Sequence, residues 1–418
     1  MKLCMGCMTN IADNCTTCPH CGYDETTLRQ ESYYLDPGTV VGGKYIVGRV
    51  ICYGGYTVTY LGMDAEHNRK VFVKEYLPSD FSTRAEGETE VTIYSGDALE
   101  QFEQGLTTFL NEANRIQHLN AVEGIAKVYD CVAENDTGYV ISEYVEGETL
   151  QQILDDGKVF SAEEAKAFIV KILTGLCQVH PLDIIHCDIS PETIVVTAEG
   201  EIKLMDFGAT RYVTTANSKS LAIILKQGYA PEEQYRSRGV RGPWTDVYAL
   251  GAVMYRMITG KVPEDSITRM VKDTLEAPSA LGITITKSQE NALLNALNTK
   301  ISSRTQTMDA FEKQLFSEEE VPRIDNETGQ PVKKPQKKWI PPVIAAGICV
   351  LCIGAFLRMQ QPKKDTAVIQ QQKQEEKYVV GNYVGVDLEK AENAVKESEL
   401  QIVITNRENS DKKEGVIL

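Results

Sequence analysis

Four ionisable side chains stand far apart in the chain, in settings that suit work on phosphate. Lys74 closes the apolar run Val71-Phe72-Val73, and Glu112 lies within an amphipathic stretch. Asp188 sits in His186-Cys187-Asp188-Ile189-Ser190-Pro191-Glu192-Thr193, and Asp206 heads Asp206-Phe207-Gly208. An ammonium can hold phosphate oxygens, one carboxylate can accept or orient a hydroxyl proton, and a second can hold a magnesium ion that bridges phosphates. Chemistry of that kind is mostly positioning and charge neutralisation, so the elements that carry these groups decide whether they can act.

The local patterns supply such elements. Tyr45 to Ile51 alternates as a strand and runs into Cys52-Tyr53-Gly54-Gly55-Tyr56-Thr57-Val58-Thr59-Tyr60, a turn whose glycines allow close backbone approach. Phe102, Leu106, Phe109, Leu110, Ala113 and Ile116 recur at helical spacing. Glu112 lies beside that stripe. Turned inward it needs a cation, and Lys74 is the expected one. Ser161 and Glu164 form a capping box ahead of a helix with Phe168, Ile169, Ile172, Leu173 and Leu176 on one face.

Taken in order, these pieces resemble the protein kinase family, and the resemblance covers about 40–317. It implies an α+β, bilobal protein-kinase fold with ATP and Mg2+ as cofactors. Cys52 to Thr59 is similar to the glycine-rich loop over the phosphates, with Gly54 in register, and Val58 is expected to line the nucleotide site. Ile141-Ser142-Glu143-Tyr144-Val145 resembles the hinge, where the backbone of Glu143 and Val145 would bond adenine and Ser142 would be a small gatekeeper. Lys74 would pair with Glu112 and hold phosphates, Asp188 would act on the substrate hydroxyl, and Asp206 with Thr193 would hold magnesium. Gly228-Tyr229-Ala230-Pro231-Glu232 resembles the end of the activation segment, with Glu232 expected to meet Arg304. Trp244 to Gly251 resembles the helix whose aspartate supports the catalytic loop. Lys74-Glu75-Tyr76-Leu77-Pro78 and Glu232-Glu233-Gln234-Tyr235 look like bacterial serine/threonine kinases.

The chain also departs from the family pattern. Phe72 stands where alanine roofs the adenine, and Thr193 where asparagine helps hold magnesium. Ser190 replaces the lysine that steadies the γ-phosphate, and Cys187 replaces the arginine that anchors activation-loop phosphate. Two readings follow: a serine/threonine protein kinase acting on protein substrates, or a pseudokinase that serves as a scaffold or allosteric partner.

The formal charge of −16 at pH 7 leaves no general field for nucleic acid, which is not expected as a partner. Five of the eleven cysteines lie in the first 21 residues. Cys4-Met5-Gly6-Cys7 and Cys18-Pro19-His20-Cys21 are two Cys-x-x-Cys turns able to aim four thiolates at one Zn2+. This segment, 1–25, resembles a zinc ribbon. Cys15 is a fifth thiol, and Cys21 is preferred as ligand because Pro19 and Gly22 favour its turn. The alternative is a set of free or redox-active thiols.

Residues 26–39 and the charged, proline-containing 318–338 read as linkers. Ile340 to Leu357 carries no charge, and eighteen residues of helix reach about 27 Å, so 339–358 is expected to cross a membrane. A nucleotide-dependent domain places the N-terminal side in the cytoplasm. After a polar linker, 359–377, the tail 378–418 resembles part of a PASTA module. The resemblance implies an extracellular α/β tail contacting peptidoglycan fragments, and a homodimer is a further expectation.

Overall fold

The computed structural model describes residues 1–26, 31–207, 225–236 and 239–332. A hairpin of β1 (Lys2–Leu3) and β2 (Asn10–Ile11) comes first. Then follow β3 (Val40–Val41), β4 (Tyr45–Tyr53), β5 (Thr57–Asp64) and β6 (Arg69–Tyr76). After the short pair β7 (Ser82–Thr83) and β8 (Thr92–Ile93) come helix α1 (Asp97–Gln117), β9 (Val128–Glu134) and β10 (Thr137–Glu143). The sheet of this lobe is antiparallel in the order β3-β4-β5-β6-β10-β9.

The second lobe is mainly helical. It holds β11 (Glu148–Thr149), α2 (Leu150–Asp155), α3 (Ala162–Val179), β12 (Ile194–Val196) and β13 (Ile202–Leu204). It continues with α4 (Pro243–Thr259), α5 (Ser266–Val271), α6 (Lys287–Ala296) and α7 (Met308–Leu315). The capping box at the start of α3 forms as expected: the Glu164 amide donates to Ser161 Oγ at 3.2 Å and the Ser161 amide to Glu164 Oε2 at 2.8 Å. Proline at the first position of α4 costs no helical hydrogen bond, and Gly260, at φ +70°, closes the helix in the left-handed region.

The two-residue period of β6 separates two kinds of chemistry. Phe72 and Lys74 turn to the interlobe side, while Val71, Val73 and Glu75 are fully buried on the other. Glu75 ion-pairs with Arg84 there and accepts from Tyr60 Oη at 2.8 Å and Tyr139 Oη at 2.9 Å. Arg84 spends its remaining donors on the carbonyls of Tyr33 (2.8 Å) and Thr89 (3.0 Å), and Tyr60 Oη accepts the Leu35 amide at 3.1 Å. Tyr34 and Leu35 are buried as a result, so this part of the segment expected to be a linker is packed onto the sheet.

The segment 318–338 differs from expectation in the same way over its described part. Asn291, Asn295 and Asn298 recur at i, i+4 and i+7, so one face of α6 and its extension presents three amides. They donate to the carbonyls of Val321 (2.7 Å), Pro322 (2.9 Å) and Ile324 (3.2 Å), and Asn295 Oδ1 accepts the Ile324 amide at 2.8 Å. High charge suggested a free tether, but backbone groups found side-chain partners. Among the described residues no helix is long and apolar enough to cross a membrane, and the segments 339–358, 359–377 and 378–418 lie outside them.

The N-terminal hairpin and both lobes belong to one compact unit. The hairpin module rests on β4: the Arg49 amide donates to Met5 O at 2.8 Å and its Nε to Gly6 O at 2.7 Å. Gly48 permits this contact, since a Cβ there would lie 2.1 Å from Met8 Cε and 2.5 Å from Met5 O. Met8 packs with Leu61 and Met63, and Tyr144 joins the edge of that cluster.

Removing Arg84 leaves the Glu75 carboxylate buried without its counter-charge. Arg84→Met is expected to lower stability by about 3–5 kcal/mol, whereas the double variant Glu75→Gln, Arg84→Met should lose clearly less. Urea denaturation of both checks this.

Candidate active site

β6 brings Lys74 to the interlobe cavity, where its ammonium ion-pairs with Asp206. Burial works against the charge of Lys74, but the Asp206 carboxylate outweighs it and holds the lysine above its ordinary value. Burial likewise opposes ionisation of Asp206, and the Lys74 ammonium reverses it, so that carboxyl sits below the usual range. The expected Lys74–Glu112 pair is absent. Glu112 is buried on α1 and lies 3.7 Å from Arg115 instead, one turn along the same helix.

Asp188 owes its place to a buried carboxylate in α4. Asp246 accepts the amides of His186 at 2.8 Å and Cys187 at 2.9 Å, and the ring of His180 at 2.9 Å. Two consecutive amides converge on one carboxylate because Cys187 adopts φ +65°, in the left-handed region. Burial would raise the Asp246 pKa, yet the hydrogen bonds from the His180 ring and the Cys187 amide hold it low. The fully buried His186 ring accepts the Asp188 amide on Nδ1 at 3.1 Å and meets Met205 O through Nε2 at 2.8 Å. Nε2 therefore carries the proton, and burial keeps the ring neutral. This ring ties the loop of Asp188 to the residue before Asp206. Burial pushes the Asp188 carboxyl up to about 7, with the nearby Lys226 ammonium pulling it down and the Asp206 charge adding to the rise.

A cavity of about 260 Å³ opens between the lobes, with Thr59, Phe72, Lys74, Ser142, Glu192 and Asp206 on its wall. Several expected positions fall elsewhere. Val58 is fully buried in the core, and Thr59, directly across from Lys74 in the sheet, takes the lining role; strand alternation carried this signal. Gly54 is exposed in the turn, where its amide bonds Thr57 O at 2.8 Å. Glu143 does line the cavity, but its amide is spent on Lys127 O at 2.8 Å; Val145 is buried just beyond. The Thr193 hydroxyl accepts the Ser190 amide at 3.1 Å and lies 3.0 Å from Asp188 O, so it staples the loop. Arg304 ion-pairs with Glu233 at 2.7 Å, one residue past the expected Glu232, which pairs with Arg236 at 2.5 Å. Glu192, which sequence reasoning did not single out, lines the cavity and ion-pairs with Lys226.

Phe72 projects into the cavity as its strand position requires. Its neighbours across the sheet are Leu61 and the small Ser142, and its ring lies 5.1 Å from that of Tyr144. The ring leans toward the hinge, over the space that Ser142 leaves.

At the N-terminus the sulfurs of Cys4, Cys7, Cys18 and Cys21 lie within 4.8 Å of one another, and Cys15 stands outside the set. Cys4–Cys21 and Cys7–Cys18 are each 3.8 Å apart, which matches the edge of a tetrahedron with metal–sulfur bonds of about 2.3 Å. The amides of Gly6 and His20 point at Cys4 Sγ (3.3 Å) and Cys18 Sγ (3.4 Å), as thiolate ligands favour.

The family model described as "Protein kinase domain" matches residues 45–324, more than half of the chain. The serine/threonine-protein kinase PknL of Mycobacterium tuberculosis is 31% identical over 54% of this chain and 51% of its own length. The serine/threonine-protein kinase PrkC of Bacillus subtilis is 28% identical over 69% of this chain and 42% of its own. This chain thus spans about half the length of the curated relatives it matches. A solved structure titled "PpkA-294 apo form" superposes with a TM-score of 0.57 at 27% identity, over 68% of this chain and 100% of that one.

The raised Asp188 carboxyl has a thermodynamic consequence. Its favourable contribution is complete below the unfolded value near 3.8 and is lost as pH rises through about 7, where a buried charge must form. Asp188→Asn is expected to raise the unfolding free energy at pH 8 by about 2–4 kcal/mol and to leave it unchanged at pH 3.5. Denaturation at the two pH values decides.

Proposed function

We propose that this chain, which belongs to the protein kinase family, transfers the γ-phosphoryl group of ATP to serine or threonine hydroxyls of proteins. The observation that carries the reading is the convergence of Lys74 and Asp206 at one interlobe cavity, with Asp188 bound to the same framework through His186. Lys74 holds the α- and β-phosphates. Asp188, poised near neutrality, accepts the hydroxyl proton as the oxygen attacks phosphorus. Asp206 is the carboxylate for Mg2+, which needs only one or two such ligands beside phosphate and water. Magnesium when bound neutralises charge on the β- and γ-phosphate oxygens. Adenine enters beside Phe72, in the width that Ser142 provides.

A second reading, a pseudokinase scaffold, draws on two observations: the Phe72 ring in the cavity and the committed hydroxyl of Thr193. The 418-residue chain incubated with radiolabelled ATP, magnesium and a generic protein substrate separates the readings. Phosphate incorporation that Asp188→Asn reduces by at least about a hundredfold supports the kinase. No incorporation by the wild type, together with nucleotide binding gained by Phe72→Ala, supports the scaffold.

The four-cysteine cluster is read as a structural Zn2+ site, on the strength of its sulfur spacing and its aimed amides. A closed sulfur shell serves structure and not chemistry. The apolar 339–358 is read as a single membrane span, with the kinase lobes cytoplasmic and the PASTA-like 378–418 outside, where peptidoglycan fragments would bind. Protein substrates and a second copy of the chain complete the proposed partners.

If zinc is bound, elemental analysis finds about one Zn per chain. Cys18→Ser then loses the metal and lowers the thermal midpoint, and added chelator does the same to the wild type. A metal-free chain with an unchanged midpoint would remove zinc from the account.

A further inference from the structure

The catalytic loop lacks a cation where the transferred phosphate gathers negative charge. Ser190 fills that position, fully buried, and its hydroxyl has no hydrogen-bond partner among the described residues. The substitution leaves a gap in the electrostatics that Lys74 does not fill, because Lys74 is assigned to the α- and β-phosphates.

A second ammonium stands at the same place from another direction. Lys226 lies just ahead of Gly228-Tyr229-Ala230-Pro231 in the second lobe. Its side chain lines a small pocket together with Asp188, Cys187 and Ile189 of the catalytic loop. Its ammonium ion-pairs with Glu192, and Glu192 lines the nucleotide cavity alongside Lys74 and Asp206. The charge stands beside both catalytic carboxylates: Lys226 shares the small pocket with Asp188, and its partner Glu192 shares the cavity wall with Asp206. Three carboxylates, Asp188, Glu192 and Asp206, thus share two lysines at this mouth. A nearby solvated lysine would have no reason to turn inward; this one is half-buried with its head at the loop.

We propose that Lys226 is the γ-phosphate ligand of this chain, supplying from the end of the activation segment the cation that Ser190 no longer supplies. The proposal rests on the kinase reading for its chemistry. In the transfer step the substrate hydroxyl oxygen bonds to the γ-phosphorus and its proton passes to Asp188. The bond from γ-phosphorus to the β–γ bridging oxygen breaks, and its electron pair stays on the departing ADP. The peripheral γ-oxygens carry the charge throughout, and the Lys226 ammonium faces them, released from Glu192 by the stronger anion. Glu192 is the positioning residue: it holds Lys226 at the mouth before nucleotide arrives.

The test does not depend on turnover. ATP and ADP differ by the γ-phosphate alone, so their affinities are measured by calorimetry with magnesium on the 418-residue chain. Lys226→Gln should weaken ATP binding about tenfold or more and leave ADP binding within twofold, while Lys226→Arg keeps the wild-type ratio. If the wild type transfers phosphate, Lys226→Gln should also lower kcat by about a hundredfold, with a folded circular dichroism spectrum. A chain that binds ATP selectively but transfers nothing would sink the kinase reading and leave Lys226 as the γ-phosphate ligand. Equal loss of ATP and ADP in Lys226→Gln, or no loss of either, would overturn the assignment of Lys226. Failure of the wild type to bind either nucleotide would overturn both.

Discussion

The Asp246 carboxylate is the constraint on which the geometry of the interlobe site depends. It is buried in α4, far along the chain from the loop it organises, and it takes two consecutive backbone amides and an imidazole. Those three donors offset the desolvation that would otherwise neutralise it. In return it forces Cys187 into the left-handed region, and that turn fixes the direction in which Asp188 leaves the loop. His186 then passes the alignment to Met205 and so to Asp206. A helix whose other buried residues are mostly apolar thereby sets the angle between two carboxylates carried by other parts of the chain.

On the other side of the cavity the logic is that of alternation. One strand, β6, gives Phe72 and Lys74 to the interlobe cavity and gives Glu75 to a buried network of Arg84, Tyr60 and Tyr139. The strand cannot slip, because a one-residue shift would bury the lysine and expose the glutamate. The Lys74 ammonium is held in register by a carboxylate on the reverse face. The same strictness places Phe72: position 72 must face the cavity, with the small Ser142 beside it across the sheet.

Much of this was legible in the sequence. Lys74, Asp188 and Asp206 were recognisable from flanking motifs, and the Cys-x-x-Cys turns from spacing alone. The losses came where a role depends on register or on a competing partner. Val58 and Thr59 are adjacent, and only strict alternation from Lys74 across the sheet selects Thr59. Glu232 and Glu233 are adjacent acids, and only packing decides which one reaches Arg304. Glu112 was expected to find Lys74, but Asp206 competes for that ammonium and Arg115 stands one turn from Glu112. Thr193 was read by what it replaces, whereas a short hydroxyl so near the backbone bonds to its own loop.

The asparagine stripe along α6 has a wider meaning. Helices rarely offer a companion chain a row of donors and acceptors, because their own amides and carbonyls are spent internally. Three carboxamides at helical spacing restore such a row, and an extended strand can lie against it much as it would join a sheet edge. Recognition of that sort reads peptide units first, and Arg323 secures it by donating to the Oδ1 atoms of Asn295 and Asn298. The docked stretch thus belongs to the packing of the second lobe although its composition is that of a tether.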